Sequence, residues 1–125
     1  MFGTANTMGS FLEATGVAPF GSATMLFCDA AKAHQARDVG ERIVELVRSG
    51  TRFRDVFSEN ALANGIRYVS AAGGSTNAIL HTLAIAKVMG VPMDLAKFDE
   101  IQASVPVIAK FKPSADKNMS DYHQA

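Results

Sequence analysis

The stretch that asks most of its surroundings is AILHTLAIAKVM, residues 78–89, in which only His81, Thr82 and Lys87 interrupt apolar side chains. At 3.6 residues per turn those apolar side chains wrap most of the circumference of a helix. A helix of that kind must be buried on nearly all sides. In a chain of 125 residues, one domain's worth of sequence with a single core, that is a large demand.

The rest of the chain is helical in period but more ordinarily amphipathic. From Asn6 to Thr15, the residues Met8, Phe11, Leu12 and Thr15 share a face, and Gly16 stands where a glycine stop belongs. After the turn GVAPFGS, a long helical segment is predicted from about Ser22 to Ser49, ended by Gly50. Its apolar face is Val39, Ile43, Leu46 and Val47, opposite Arg37, Asp38, Glu41, Arg42, Glu45 and Arg48. TRFRDVF reads as one helical turn with Phe53, Val56 and Phe57 inward. Ser58 is the expected N-cap of a helix to about Ala72, striped with Leu62, Ile66 and Val69. Asp94 caps a short helix with Leu95, Phe98 and Ile101 inward, stopped before Pro106. VIAKF, between Pro106 and Pro113, reads as a short edge strand, and Ser120 as the cap of a last helical turn. No repeat or low-complexity tract occurs.

Composition removes several classes of function. Hydrophobic residues make up 48% and charged residues 19%, the balance of a globular chain. A formal charge of zero provides no electrostatic footprint for nucleic acid or an anionic membrane. The apolar runs are broken well before the ~20 residues that a membrane span needs, and MFGTANTMGS has no secretory-signal pattern. The single cysteine excludes an intrachain disulfide framework and points to a reducing compartment, so a cytoplasmic location is expected.

Two clusters of small and hydroxyl residues remain as candidate sites. In AAGGSTNAILH, backbone amides at a helix start are unpaired and the helix dipole favours negative charge, so Gly74, Ser75 and Thr76 are placed to donate to a carboxylate or phosphate. The same residues also make a plain helix junction, with Gly73 ending one helix and Ser75 or Thr76 capping the next. The segment lacks the lysine of a P-loop and the preceding strand of a dinucleotide fingerprint. His81 lies four residues after Asn77, one turn along the same face, and is either aimed at a ligand near Ser75 or a core histidine. GTANTM opens another helix, where Asn6 and Thr7 either cap or touch ligand. Cys28, with no basic neighbour, reads as an inert packing residue. His34 and His123 read as solvated. Paired carboxylates, a recognisable nucleophile set and clustered metal ligands are absent from the pattern.

Taken together, GTANTM, EATGVAPFGSAT, GERIVELVRSG, ENALANGIRYVSAAGGSTNAILHTLAIAKVMGV, FDEIQASVPVIAKFKPS and DYHQA resemble the dihydroxy-acid dehydratase family, which also includes sugar-acid and phosphogluconate dehydratases. The resemblance runs from Gly3 to Ala125. It implies a mainly α chain forming one partial domain over residues 1–125, the helical portion of a larger α/β N-terminal domain, without the C-terminal β-barrel domain. It implies an enzyme that dehydrates 2,3-dihydroxy acids to 2-oxo acids with an iron–sulfur cluster of two or four irons and Mg2+, the cluster acting on the departing 3-hydroxyl and magnesium orienting the carboxylate and 2-hydroxyl.

Carried over residue by residue, the resemblance implies no catalytic or metal-binding residue in this chain. The cluster cysteine expected nearest to it stands just upstream of Met1, Cys28 corresponds to none of the ligands, and neither cofactor is expected to bind this fragment alone. Thr4, Asn6, Thr7, Gly74, Ser75, Thr76, Asn77 and His81 are expected to line the active-site region. The missing neighbours of the apolar helix from Asn77 to Met89 then belong to the rest of the domain. The expected partners are a small dihydroxy acid and further copies in a homodimer or larger assembly, with neither nucleic acid nor membrane. KPS, DYHQA and NAILHTLAIA favour the enzyme of valine and isoleucine biosynthesis, while GTANTM leans toward the sugar-acid members. A stand-alone, non-catalytic helical binding domain is the alternative of a different class.

Overall fold

A computed structural model describes residues 2–125. Every regular element among them is a helix: α1 (Thr4–Ala14), α2 (Ala30–Ser49), α3 (Phe53–Val56), α4 (Glu59–Ala71), α5 (Asn77–Met89), α6 (Leu95–Ala103) and α7 (Met119–Gln124). The mainly α character read from the periodicity is therefore what the chain adopts.

Helix α4 is the centre of the assembly, with α1, α5 and α6 packed against it. Its stripe of Leu62, Ile66 and Val69 is buried as the spacing predicts. On one side Leu62 and Val69 join Phe11, Phe57, Ala78 and Ala86. On the other, Ile66 and Ala63 meet Phe98 and Ile101 of α6. A smaller apolar cluster of Ala72, Phe111 and Met119 carries α7 and gathers Phe2 and Tyr68. Ser58 and Asp94 cap α4 and α6 as expected, Ser58 Oγ accepting from the Ala61 amide at 3.1 Å and Asp94 Oδ1 from the Lys97 amide at 2.8 Å.

Several local expectations are corrected. Helix α2 begins at Ala30, after Asp29, whose Oδ1 accepts from the Ala31 amide at 2.9 Å. The preceding residues are turns because the Glu13 carboxylate accepts from the Gly21 and Ala23 amides at 2.7 and 2.9 Å, holding them out of a helical ladder. Cys28 sits on this turn and is exposed, so it packs nothing. Phe57 is buried, but Phe53 and Val56 stay largely open, as does Leu95 on α6. The final helix is capped by Asn118, which accepts from the Ser120 and Asp121 amides, so Ser120 lies inside the helix.

VIAKF forms no strand, since the described residues offer none to pair with. Instead the Ile108 and Ala109 amides both donate to the Ala71 carbonyl, at 2.9 and 3.1 Å, covering the end of α4.

Two helices leave apolar faces uncovered. Helix α2 buries none of its residues. Its Val39, Ile43 and Val47 line a groove of about 850 Å3 that the loop at Val17 and Phe20 and the turn at Phe53 complete. Helix α5 buries Ala78, Thr82 and Ala86, whereas Leu80 is 67% and Val88 84% exposed on the opposite side. The demand made by residues 78–89 is met on one face only. No described helix is long and apolar enough to cross a membrane.

Candidate functional site at the helix starts of α1 and α5

The two small-residue clusters, some seventy positions apart in sequence, meet in the fold. At the end of α4, Gly73 takes the left-handed conformation (φ +64°) that a residue with Cβ disfavours. The Gly73 amide then donates to the Ser70 carbonyl at 3.3 Å and the Gly74 amide to the Val69 carbonyl at 2.7 Å, the two bonds of a Schellman stop. Gly74 has no room for a side chain: a Cβ there would lie 2.9 Å from Thr7 Cγ2 and 3.1 Å from the Val69 carbonyl oxygen. The chain can therefore turn into α5 while pressed against α1.

Thr7 makes the joint. It is completely buried, its Oγ1 donates back to the Gly3 carbonyl at 3.0 Å, and the same oxygen accepts from the Ser75 amide at 3.1 Å. Next to it, at the surface, Thr4 Oγ1 and Ser75 Oγ share a hydrogen bond of 3.1 Å. Asn77 Nδ2 donates to Ser75 Oγ at 3.1 Å and to Thr4 Oγ1 at 3.4 Å. Ser75 Oγ also accepts from the Asn77 amide at 3.3 Å, capping the first turn of α5. The result is a neutral, partly exposed array of two hydroxyls and one carboxamide, drawn from two helix starts.

The sequence-predicted residues separate into three groups. Thr4, Ser75 and Asn77 form the array, and Thr7 lies buried beneath it. Gly74 shapes the turn, and the amides of Gly74 and Ser75 are taken by Val69 and Thr7 rather than pointing outward. Thr76 is exposed at the start of α5, Asn6 is half-buried, and His81 is exposed one turn beyond Asn77; none of these three side chains joins the array. The ordinary junction and the candidate site thus coincide in one piece of backbone.

Sequence reasoning missed a cluster of aromatic residues elsewhere in the fold. Phe2 packs on Phe111 with ring centroids 5.2 Å apart, and Phe111 meets Tyr122 edge-on at 5.5 Å. The Tyr68 hydroxyl donates to that of Tyr122 at 3.4 Å. Burial first, and then this contact, raises the Tyr68 phenol above its ordinary range. The signal was present only as scattered aromatics with no common period, because they come from four separate segments. His123, on the same last helix, bonds Thr24 through Nδ1 at 2.9 Å.

Donors for a metal are a separate matter. Among the described residues no three of His, Cys, Asp or Glu come together as a ligand set. A cluster or a magnesium ion does not fit these residues taken by themselves.

Comparison with known proteins bears on the whole chain. Residues 1–125 match the family model described as dihydroxy-acid/6-phosphogluconate dehydratase N-terminal. The chain is 42% identical over 122 residues to the dihydroxy-acid dehydratase of Thermosynechococcus vestitus, a match covering 98% of this chain and 22% of that protein. It is 43% identical over 121 residues to the dihydroxy-acid dehydratase of Chloroflexus aurantiacus, and 41% identical over 121 to that of Sulfurisphaera tokodaii, again spanning 22% of each relative's length.

Proposed function

The chain belongs to the dihydroxy-acid/6-phosphogluconate dehydratase family, and from that membership we propose that it is a segment of a hydro-lyase converting a 2,3-dihydroxy acid to a 2-oxo acid and water. The substrate loses its C3 hydroxyl and its C2 proton, and the enol so formed relaxes to the ketone. The names of the relatives support a dihydroxy acid as substrate, and the motifs KPS, DYHQA and NAILHTLAIA favour the branched-chain one. In this reading the iron–sulfur cluster and magnesium of the enzyme would be held by residues other than those of this segment. In the same reading the enzyme is cytoplasmic and works as a homodimer or larger assembly.

The observation that carries the local reading is the array itself: Thr4, Ser75 and Asn77, from two distant segments, are tied together at the surface. Such an array binds a polar ligand without charge. Its hydroxyls and carboxamide accept from and donate to substrate hydroxyls, so in this reading it holds and orients the substrate and moves no proton. Thr76 and His81 flank it on the exposed face of α5. Gly74 and Asn6 support the wall without reaching the ligand.

A segment exchange tests the proposal. These 125 residues replace the matching segment of a dihydroxy-acid dehydratase relative, and 2-oxo acid release is followed with 2,3-dihydroxy-3-methylbutanoate and, separately, with gluconate. Retained turnover of the branched substrate is expected. A chimaera that folds and loads its cofactors normally yet turns over neither substrate overturns the proposal, and one that prefers gluconate moves it to the sugar-acid branch. The 125-residue chain alone is expected to be inactive.

A further inference from the structure

We propose that Thr7 is a positioning residue: a buried hydroxyl that sets the backbone of Ser75 and, through it, the geometry of the surface array that Thr4, Ser75 and Asn77 form. The inference rests on the proposed function for its consequence toward substrate, and on geometry alone for the rest. Thr7 has no exposed surface, so it touches no ligand and acts only through what it holds. Its hydroxyl both donates and accepts, the proton going to the Gly3 carbonyl at 3.0 Å and a lone pair receiving the Ser75 amide at 3.1 Å. These two bonds join the residue before α1 to the residue before Thr76.

The methyl group of the same side chain fixes the separation. Thr7 Cγ2 occupies the space where a Cβ on Gly74 would stand, 2.9 Å away, so the glycine and the threonine are fitted to each other. Losing the hydroxyl leaves the part-buried Ser75 amide without its partner, while the Gly3 carbonyl keeps the bond it accepts from the Thr7 amide at 2.9 Å. That is the costly way to remove a hydrogen bond. The least expensive relief is for the Gly74–Ser75 backbone to move toward solvent. Such a movement separates Ser75 Oγ from Thr4 Oγ1 and from Asn77 Nδ2, which now lie at 3.1 Å. A wall that holds substrate hydroxyls by geometry is disordered by that shift even though every residue of the wall is still present.

The experiment has two arms, applied to Thr7→Val, which keeps the shape and removes the hydroxyl, and to Thr7→Ser, which keeps the hydroxyl. In the first, amide hydrogen exchange is measured residue by residue in the intact protein, without substrate. Thr7→Val is expected to speed exchange at Ser75 by about tenfold or more while Phe11 and Ile66 keep their protection, and Thr7→Ser to restore the native rate at Ser75. In the second, the same variants are placed in the active chimaera. Thr7→Val is expected to raise KM for the dihydroxy acid about tenfold with kcat within about twofold, a loss that Thr7→Ser reverses.

Unchanged exchange at Ser75 in Thr7→Val overturns the proposal. So does faster exchange with KM unaltered, since the array would then not depend on Thr7 where it meets substrate. If Thr7→Val unfolds, faster Ser75 exchange in a folded Thr7→Ser overturns it as well, because the methyl rather than the hydroxyl would be the holding group. Absence of turnover by the unsubstituted chimaera defeats the proposed function and leaves the exchange arm to decide the role of Thr7 at Ser75.

Discussion

Gly65 and Phe11 occupy a contact that only one of them can fill. A Cβ built on Gly65 would stand 2.5 and 2.6 Å from two ring carbons of Phe11 and 3.0 Å from Thr15 Cγ2. Phe11 is wholly buried, so its ring has nowhere to swing. Glycine inside a helix ordinarily costs roughly 0.5–1 kcal/mol relative to alanine. Here the steric clash wins over that preference, and Gly65→Ala is expected to destabilise the fold by about 1–3 kcal/mol. Urea unfolding of the two proteins measures it, and a more stable alanine variant would contradict the packing. The sequence showed the stripe of Leu62, Ile66 and Val69 but not this contact. A stripe is a local spacing, whereas the need for glycine at Gly65 arises from Phe11, far earlier in the chain on another helix. Thr7 and Gly74 are the same case: both were legible as small residues, and neither announced its partner.

At the scale of elements, what was legible follows the range of the interactions that set each boundary. The starts of α4 and α6 were readable because Ser58 and Asp94 cap their own helices within three residues. Asp94→Ala is accordingly expected to cost about 1 kcal/mol, while Leu95→Ala, at a site 60% exposed, costs much less. Thermal melts of the two variants compare them directly, and an equal loss would mean that Leu95 is covered in solution. The start of α2 was misread because it depends on Glu13, whose carboxylate takes the Gly21 and Ala23 amides. VIAKF has the composition of a strand, yet a strand exists only with a partner. Without one, its Ile108 and Ala109 amides close the end of α4 instead.

For the molecule as a whole, the apolar surface left on α2 and α5 decides its behaviour. Val47 is 74% exposed and the neighbouring loop leaves Phe20 96% exposed, with Leu80 and Val88 open on the other helix. Contiguous apolar surface of this kind marks an interaction site or an aggregation liability. Prepared as these 125 residues alone, the protein is expected to bind a hydrophobic dye such as ANS and to self-associate as its concentration rises. Fluorescence titration and sedimentation check both. A monomer that binds no dye would show that α2 and α5 find cover within the chain. In the segment-exchange chimaera the dye signal is expected to fall, because the rest of the polypeptide then lies against those faces.

The sequence alone determined that this chain is helical, where most of its helices end, and which two clusters of small residues at helix starts were open to both a capping and a binding role. Those properties are written in spacings of three and four residues and in caps that act within a single turn. Its family was legible as well, because the motifs that carry it are contiguous. Only the tertiary structure decided that GTANTM and GGSTN are one place. Their union depends on a hydroxyl at Thr7 reaching an amide at Ser75, a contact across 68 residues that no local period encodes. The tertiary structure also showed that the apolar helix with which the reading began buries one face and leaves the other open. Burial is a property of neighbours, and a sequence can state the demand for them without supplying them.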